Sequence, residues 1–366
     1  MKLWLKHIGI LVAVAGVVGL AAMLSGIIPI AASGGHWSVT RKVLDFSMAR
    51  SVFTHSIGID APELDDPEMI QRGAGHFETG CVQCHGSPAR PQSPIASAMT
   101  PRPPLLPAHI PLWKPQELFY IVKHGVKLTG MPAWPAQNRD DEVWDVVAFL
   151  QTLPDIDADA YRELVTDSNT AVSEYSGPPH LQHLVTSTCG RCHGTDGRGR
   201  SSEAFPALAG QHQKYLAASL RAYSAGERHS GIMQPLAVPL TDSEITDLAE
   251  YYSKLPTAFE LSYFESPPAD TSTSDDTADE LTGFQIAQNG IPSQKVPSCT
   301  GCHGPGRSDS YPLLSGQPTS YLAKQLTLFK RRDRGGTEQQ HLMHPATDRI
   351  TEKQIQAVAQ YFGERD

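Results

Sequence analysis

The sequence predicts an all-α chain, one apolar N-terminal helix followed by three small helical units of common plan. Three observations carry that prediction. A run without charge extends from Ile8 to Ala32. The pattern C-x-x-C-H occurs three times and uses all six cysteines. After each pattern comes a segment with apolar residues at i, i+3, i+4 and i+7, the period of a helix with one buried face. A length of 366 residues suits two to four domains. With 30 Lys plus Arg against 39 Asp plus Glu, the chain lacks the basic excess of a nucleic-acid binder.

Taken in order, the uncharged run of 25 residues would span about 37 Å as a helix, against about 30 Å of bilayer hydrocarbon. Lys2 and Lys6 precede it, whereas Arg41 and Lys42 follow only after a gap, which places the N-terminus in the cytoplasm and the rest outside. Ala31 and Ala32 also suit a signal-peptide cleavage site, but the apolar core exceeds the roughly 7–15 residues of such a peptide, so an uncleaved anchor is favoured. From His36 to Ile59 the pattern fits either an amphipathic juxtamembrane helix, with Phe46 and Val52 as membrane or domain contacts, or a plain linker.

The cysteines stand in Cys81-Val82-Gln83-Cys84-His85, Cys189-Gly190-Arg191-Cys192-His193 and Cys299-Thr300-Gly301-Cys302-His303. A zinc ribbon needs a second pair about 15–20 residues away, and a redox dithiol needs neither the following histidine nor three copies. The same spacing suits covalent haem, in which two thiols add to the porphyrin vinyl groups and the adjacent imidazole becomes the fifth iron ligand. Each unit therefore resembles a class I c-type cytochrome. That family implies a small all-α domain, a haem-attachment motif closing its first helix and a distal methionine from a later loop.

Met233 and Met343 each stand 40 residues beyond their motif histidines and precede similar settings, Met233-Gln234-Pro235 and Met343-His344-Pro345. In the first unit Met131 follows His85 by 46 residues, within Gly130-Met131-Pro132-Ala133-Trp134; Met99, only 14 residues past His85, leaves little chain to circle a haem. Competing imidazoles are His109 and His124 in the first unit and His212, His229, His341 and His344 later. The expected set is three covalent haem c groups on Cys81, Cys84, Cys189, Cys192, Cys299 and Cys302, with axial pairs His85 and Met131, His193 and Met233, His303 and Met343.

The closing helices present Val143, Val146, Val147 and Leu150; Ile245, Leu248, Ala249 and Tyr252; and Ile355, Val358, Ala359 and Phe362. Thr241 with Glu244 and Thr351 with Gln354 read as capping boxes, and Leu153-Pro154 and Leu255-Pro256 as stops. The second and third units share Gly-Gln at 210 and 316 and Tyr-Leu-Ala at 215 and 321, so they resemble tandem di-haem cytochromes of the c-four type. The first departs: nine prolines from Pro88 to Pro115 predict an extended loop in place of its sisters' helix. The expected division is 1–35 membrane anchor or signal peptide, 36–66 juxtamembrane linker, 67–157 first domain, 177–258 second, 259–280 acidic linker and 281–366 third. Residues 155–178 read as a further linker. Lys330, Arg331, Arg332 and Arg334 form either a solvated loop or a docking patch for an acidic redox partner.

Iron closed on both faces by imidazole and thioether leaves no position for substrate, so the resemblance implies an electron carrier rather than an enzyme. The expectation is a single-pass protein of the bacterial inner membrane with its haem domains in the periplasm, carrying electrons in the respiratory chain, delivering them to a terminal oxidase or accepting them from a quinol-oxidising complex. The alternative is the cytochrome subunit of a membrane-bound dehydrogenase. A haem peroxidase is disfavoured, because every unit has a methionine available.

Overall fold

The computed structural model describes residues 2–28, 30–166, 175, 177–256, 281–304 and 306–363. The described chain is helical, with isolated bridges but no strand. Helix α1 (Lys2–Leu24) exposes its apolar side chains along its length and is long and apolar enough to cross a membrane, a property shared by anchors and signal sequences. Helix α2 (Ser38–His55) touches protein only near its end, where Val52 is buried and His55 stacks on Tyr120 at 5.5 Å. Phe46 remains 69% exposed, so of the two expected contacts only Val52 packs on protein.

The first core forms where α3 (Pro67–His76) crosses a later helix. Asp66 caps α3 by accepting the Glu68 N–H at 2.9 Å, and Pro67 occupies the first helical position, where its missing N–H costs nothing. The chain continues through a π-type turn, Phe77–Cys81, into the motif turn Val82–His85. The proline-rich loop follows, but it does not replace the expected helix. Its ninth proline begins α4 (Pro115–His124), so the prolines lengthen the approach and the helix survives. Helix α5 (Asp140–Thr152) buries Val143, Val146, Val147 and Leu150 against α3, each such side chain contributing about 1.5–3 kcal/mol. A Cβ at Gly73 would stand 1.9 Å from the Asp145 carbonyl oxygen, so only glycine permits this crossing.

The segment read as a linker from 155 opens instead as helix α6 (Ala158–Val165), capped by Asp157. Tyr161 packs against Phe77 and Phe149, and its hydroxyl donates to Glu78 at 2.6 Å. Its aromatic ring is thus part of the first core. Residues 167–174 and 176, and the whole of the acidic linker expected at 259–280, lie outside the described residues.

The second core joins Leu181 and Val185 to α7 (Gln213–Ser224) and α8 (Asp242–Lys254). The third is built from α9 (Gly283–Asn289), α10 (Thr319–Arg331) and α12 (Glu352–Gly363), with Ile291, Val296 and Ile350 from the loops, while α11 (Gln340–Thr347) packs beside α10. All eight apolar positions expected of their closing helices are buried. Both expected capping boxes form: Thr241 with Glu244 at 2.8 and 3.2 Å, and Thr351 with Gln354 at 2.8 and 3.3 Å. A third, Thr282 with Gln285, starts α9. Here the third unit parts from its sisters. Helix α9 stops at Gly290, whose φ of +68° suits glycine, and a loop intervenes before the turn Thr300–His303.

Candidate haem sites

Each motif histidine sits on one helical turn ending at a glycine. In each, Nδ1 lies 2.9 Å from a proline carbonyl: His85 from Pro104, His193 from Pro206 and His303 from Pro312. A carbonyl can only accept, so Nδ1 carries the proton and Nε2 presents its lone pair. Burial lowers the pKa of all three imidazoles and keeps them neutral, as iron ligation requires. The three pins reach 19, 13 and 9 residues along the chain, so three different loops arrive at one geometry.

The cysteines form no disulfide. Burial pushes the Cys81, Cys189 and Cys299 thiols up to about 12, the reverse of the acidic thiol a redox dithiol needs. Among the described residues no three His, Cys, Asp or Glu side chains converge as in a zinc site. Beside His85 a cleft of about 380 Å³ is lined by Gln92, Arg102, Leu105 and Leu153 among others; Met131 does not line it. Gln92 organises the loop there, donating to the carbonyls of Cys84 at 2.7 Å and Pro103 at 2.9 Å and accepting from Arg102 at 2.7 Å.

The three candidate methionines are half-buried and held through their backbones. The Met131 N–H donates to Thr129 at 3.1 Å, the Met233 N–H donates to Ser230 at 3.1 Å, and the Met343 carbonyl accepts from Thr347 at 2.9 Å. Met99 is brought to the same loop as Met131, its Cε lying 2.2 Å from where a Gly130 Cβ would be. Two competing histidines tie units together: His212 Nδ1 donates to the Tyr311 carbonyl at 2.8 Å, and His229 Nδ1 lies 2.8 Å from the Asp333 carbonyl.

The junction of the second and third units follows a pseudo-twofold plan that the sequence reading did not anticipate. Gln317 brackets the Ala207 backbone, accepting its N–H at 3.1 Å and donating to its carbonyl at 2.8 Å. Gln211 does the same to Leu313, at 2.9 and 3.0 Å. Each bracketed residue follows the proline that pins a motif histidine. Deeper in the junction, Arg228 donates to Tyr215 at 3.3 Å and to Tyr321 at 3.2 Å, and Arg334 donates to Tyr215 at 3.4 Å. Their guanidiniums lie over Tyr223 and Phe329 at 4.6 and 4.3 Å. Every one of these pairs stands 106 residues apart in sequence, which is the signal that would have exposed them.

Arg334 therefore leaves the expected docking patch, being 7% exposed. Lys330 donates to the Ile350 carbonyl at 2.6 Å and Arg332 pairs with Asp348 at 3.2 Å, so the patch is largely engaged within its own unit. Neither Arg228 nor Arg334 has a carboxylate partner among the described residues. Burial alone would raise the Tyr215 phenol, but the two guanidiniums draw it down to about 8. Buried cations short of counter-charge suit a porphyrin, which brings two carboxylates, and the histidine pins and thiol pairs suit its iron and vinyl groups.

Fold and sites together define a class of protein, helical units built to hold covalently attached haem. The family described as cytochrome c matches residues 182–256 and 282–364, and that described as cytochrome c oxidase, cbb3-type, subunit III matches 68–150. The chain is 35% identical over 178 residues to the thiosulfate dehydrogenase electron acceptor of Thiomonas intermedia, covering 48% of this chain and 77% of that one. It is 32% identical over 203 residues to cytochrome c4 of Thiocapsa roseopersicina, covering 54% and 97%. The crystal structure of reduced cytochrome c4 from Pseudomonas stutzeri aligns with a TM-score of 0.41 and 29% identity, over 51% of this chain and 98% of that one. The chain belongs to the cytochrome c family, with units like those of cytochrome c4, and is an electron carrier.

Proposed function

We propose that this is a membrane-tethered, tri-haem relay working in an exported, oxidising compartment. Cys81 and Cys84, Cys189 and Cys192, and Cys299 and Cys302 would hold the three porphyrins, and His85 with Met131, His193 with Met233, and His303 with Met343 would ligate the irons. Haem bound there would supply one-electron chemistry between ferrous and ferric iron, at a high potential where methionine is a ligand. The polypeptide supplies the rest. Pro104, Pro206 and Pro312 fix each imidazole, the helical cores exclude water, and Arg228 and Arg334 balance the porphyrin carboxylates. Helix α1 confines the carrier to the bilayer surface and raises its effective concentration for membrane partners.

The observation that carries the reading is the threefold recurrence of a 2.9 Å imidazole-to-proline pin directly after a thiol pair. On the donor side, relatives named as electron acceptors of thiosulfate dehydrogenase support a dehydrogenase partner that oxidises a small sulfur compound. On the acceptor side, the match to a cytochrome oxidase subunit family supports delivery toward a terminal oxidase. Intact mass of the exported holoprotein tests the reading: a gain of three haems is expected, and any other count overturns it. The same preparation reports whether α1 is retained, which an anchor requires and a signal peptide forbids.

A further inference from the structure

The first unit lies directly over the motif turn of the second. A Cβ built at Gly75 on α3 would stand 3.3 Å from Cys192 Sγ and 3.5 Å from the Phe205 ring, both in the second unit. Around this contact, Ser202 donates to Gln71 at 2.6 Å and Arg191 lies 3.8 Å from Glu78. Arg200 donates to the carbonyls of Glu163 and Leu164 at 2.8 Å and of Thr166 at 2.6 Å, at the end of α6 where carbonyls lack helical partners.

A second contact joins the two methionine loops. Trp134, three residues beyond Met131, presses on Gly231, whose Cβ would stand 2.2 Å from the indole Nε1. Glu142 accepts from Ser230 at 2.7 Å, from the Gly231 N–H at 2.6 Å and from Trp134 at 3.3 Å, and Ser230 Oγ in turn takes the Met233 N–H. Arg139 neutralises Glu142 at 3.0 Å and donates to the His229 carbonyl at 2.7 Å. Both rims of the second site, its second cysteine and its methionine loop, thus lie under the first unit. The outer motifs contrast with it. Cys302 is exposed, and a Cβ at Gly80, just before Cys81, would meet nothing within 4 Å.

We propose that the first unit is a built-in redox partner docked on the second: Gly75 and Trp134 close the haem edge beside Cys192, leaving outside partners to exchange electrons only through the first and third units. The second unit is then an internal station. An electron taken up by the first unit reduces the second, which is reoxidised by the third. This rests on the reading that each motif carries a haem.

The test uses the full-length holoprotein, with the hyperfine-shifted haem methyl resonances assigned unit by unit and a neutral gadolinium chelate as probe. The second unit's methyls are expected to broaden about tenfold less than those of the other two, which corresponds to that edge being open in about a tenth of the molecules. Gly75→Leu starts its side chain against Cys192 and Phe205 of the second unit, and Gln71→Trp replaces the partner of Ser202 one turn earlier on the same helix. In either variant the second unit's methyls broaden like the others, and electron exchange between the first two units after photoinjection slows about tenfold, in proportion to the docked fraction. Equal broadening of all three sets in the unmodified chain overturns the proposal, as does either folded variant that leaves both readouts unchanged. Missing shifted resonances would instead strike at the haem reading itself.

Discussion

Gln317→Ala offers a quantitative check on the junction of the second and third units. Gln317 is 4% exposed, and its amide is the partner of both backbone groups of Ala207, at 3.1 and 2.8 Å. Truncation leaves a buried N–H and a buried carbonyl without partners, each at about 1–3 kcal/mol, so the local loss is about 2–6 kcal/mol. Amide exchange at Ala207 reads this directly. If opening is the route to exchange, a loss of about 2 kcal/mol accelerates it roughly 30-fold. The junction's thermal midpoint falls by about 4 °C at the least, using about 2–4 °C per kcal/mol for a body of this size. Gln211→Ala should do the same to the Leu313 amide, because its bonds of 2.9 and 3.0 Å are the mirror of the first pair. An Ala207 exchange rate within about twofold of the unmodified protein, with an unchanged midpoint, would refute the assignment of these amides as the clasp.

Other perturbations test other levels. Gly73→Ala drives a methyl to within 1.9 Å of the Asp145 carbonyl and should cost the first unit about 3 kcal/mol or more, visible as a lowered melting transition of that unit. His76 is buried with neither ring nitrogen partnered among the described residues, and burial together with Arg72, Lys324 and Arg139 lowers its pKa to about 3. Because that value lies below the 6.5 of the unfolded chain, the folded state resists protonation. Stability is full above pH 6.5 and declines as pH falls toward 3. Denaturant melts of unmodified protein and His76→Leu should therefore diverge between pH 7 and 5 by about 2 kcal/mol, and parallel curves would count against the burial argument. Met131→Leu should reduce the far-red methionine–iron absorbance to about two-thirds while Met99→Leu leaves it intact; the opposite pattern would assign the ligand to Met99.

Much of the fold was legible because local chemistry and burial agree. The closing helices carry their apolar period, their caps and their proline stops within one short stretch, so nothing distant decides them. The contacts that were illegible depend on distant partners. Tyr161 belongs to the first core through Phe77 and Phe149, while its neighbours in sequence have the composition of a linker. Prolines predicted the loop after the first motif, yet Pro115 starts a helix because the first helical position requires no N–H. Arg334 looked like one more charge in a basic run, and only its match to Arg228 at a spacing of 106 hints at burial. The common spacing of 40 between motif histidine and methionine hides a compensation. Pro312 lies four residues nearer its histidine than Pro206 does, and the third unit regains those residues between Arg334 and Met343.

The facing guanidiniums of Arg228 and Arg334 bear on maturation. Without porphyrin, closing the second and third units brings two desolvated cations together with only neutral acceptors among the described residues, the Tyr215 and Tyr321 phenols, the Ser219 hydroxyl, the Gln325 amide and two aromatic faces, and like charges in such surroundings repel. On the three-haem reading, cofactor carboxylates supply the missing counter-charge. Closure at this seam therefore depends on the pigment, and a chain that lacks its haems is expected to hold the second and third units together less tightly than the loaded protein.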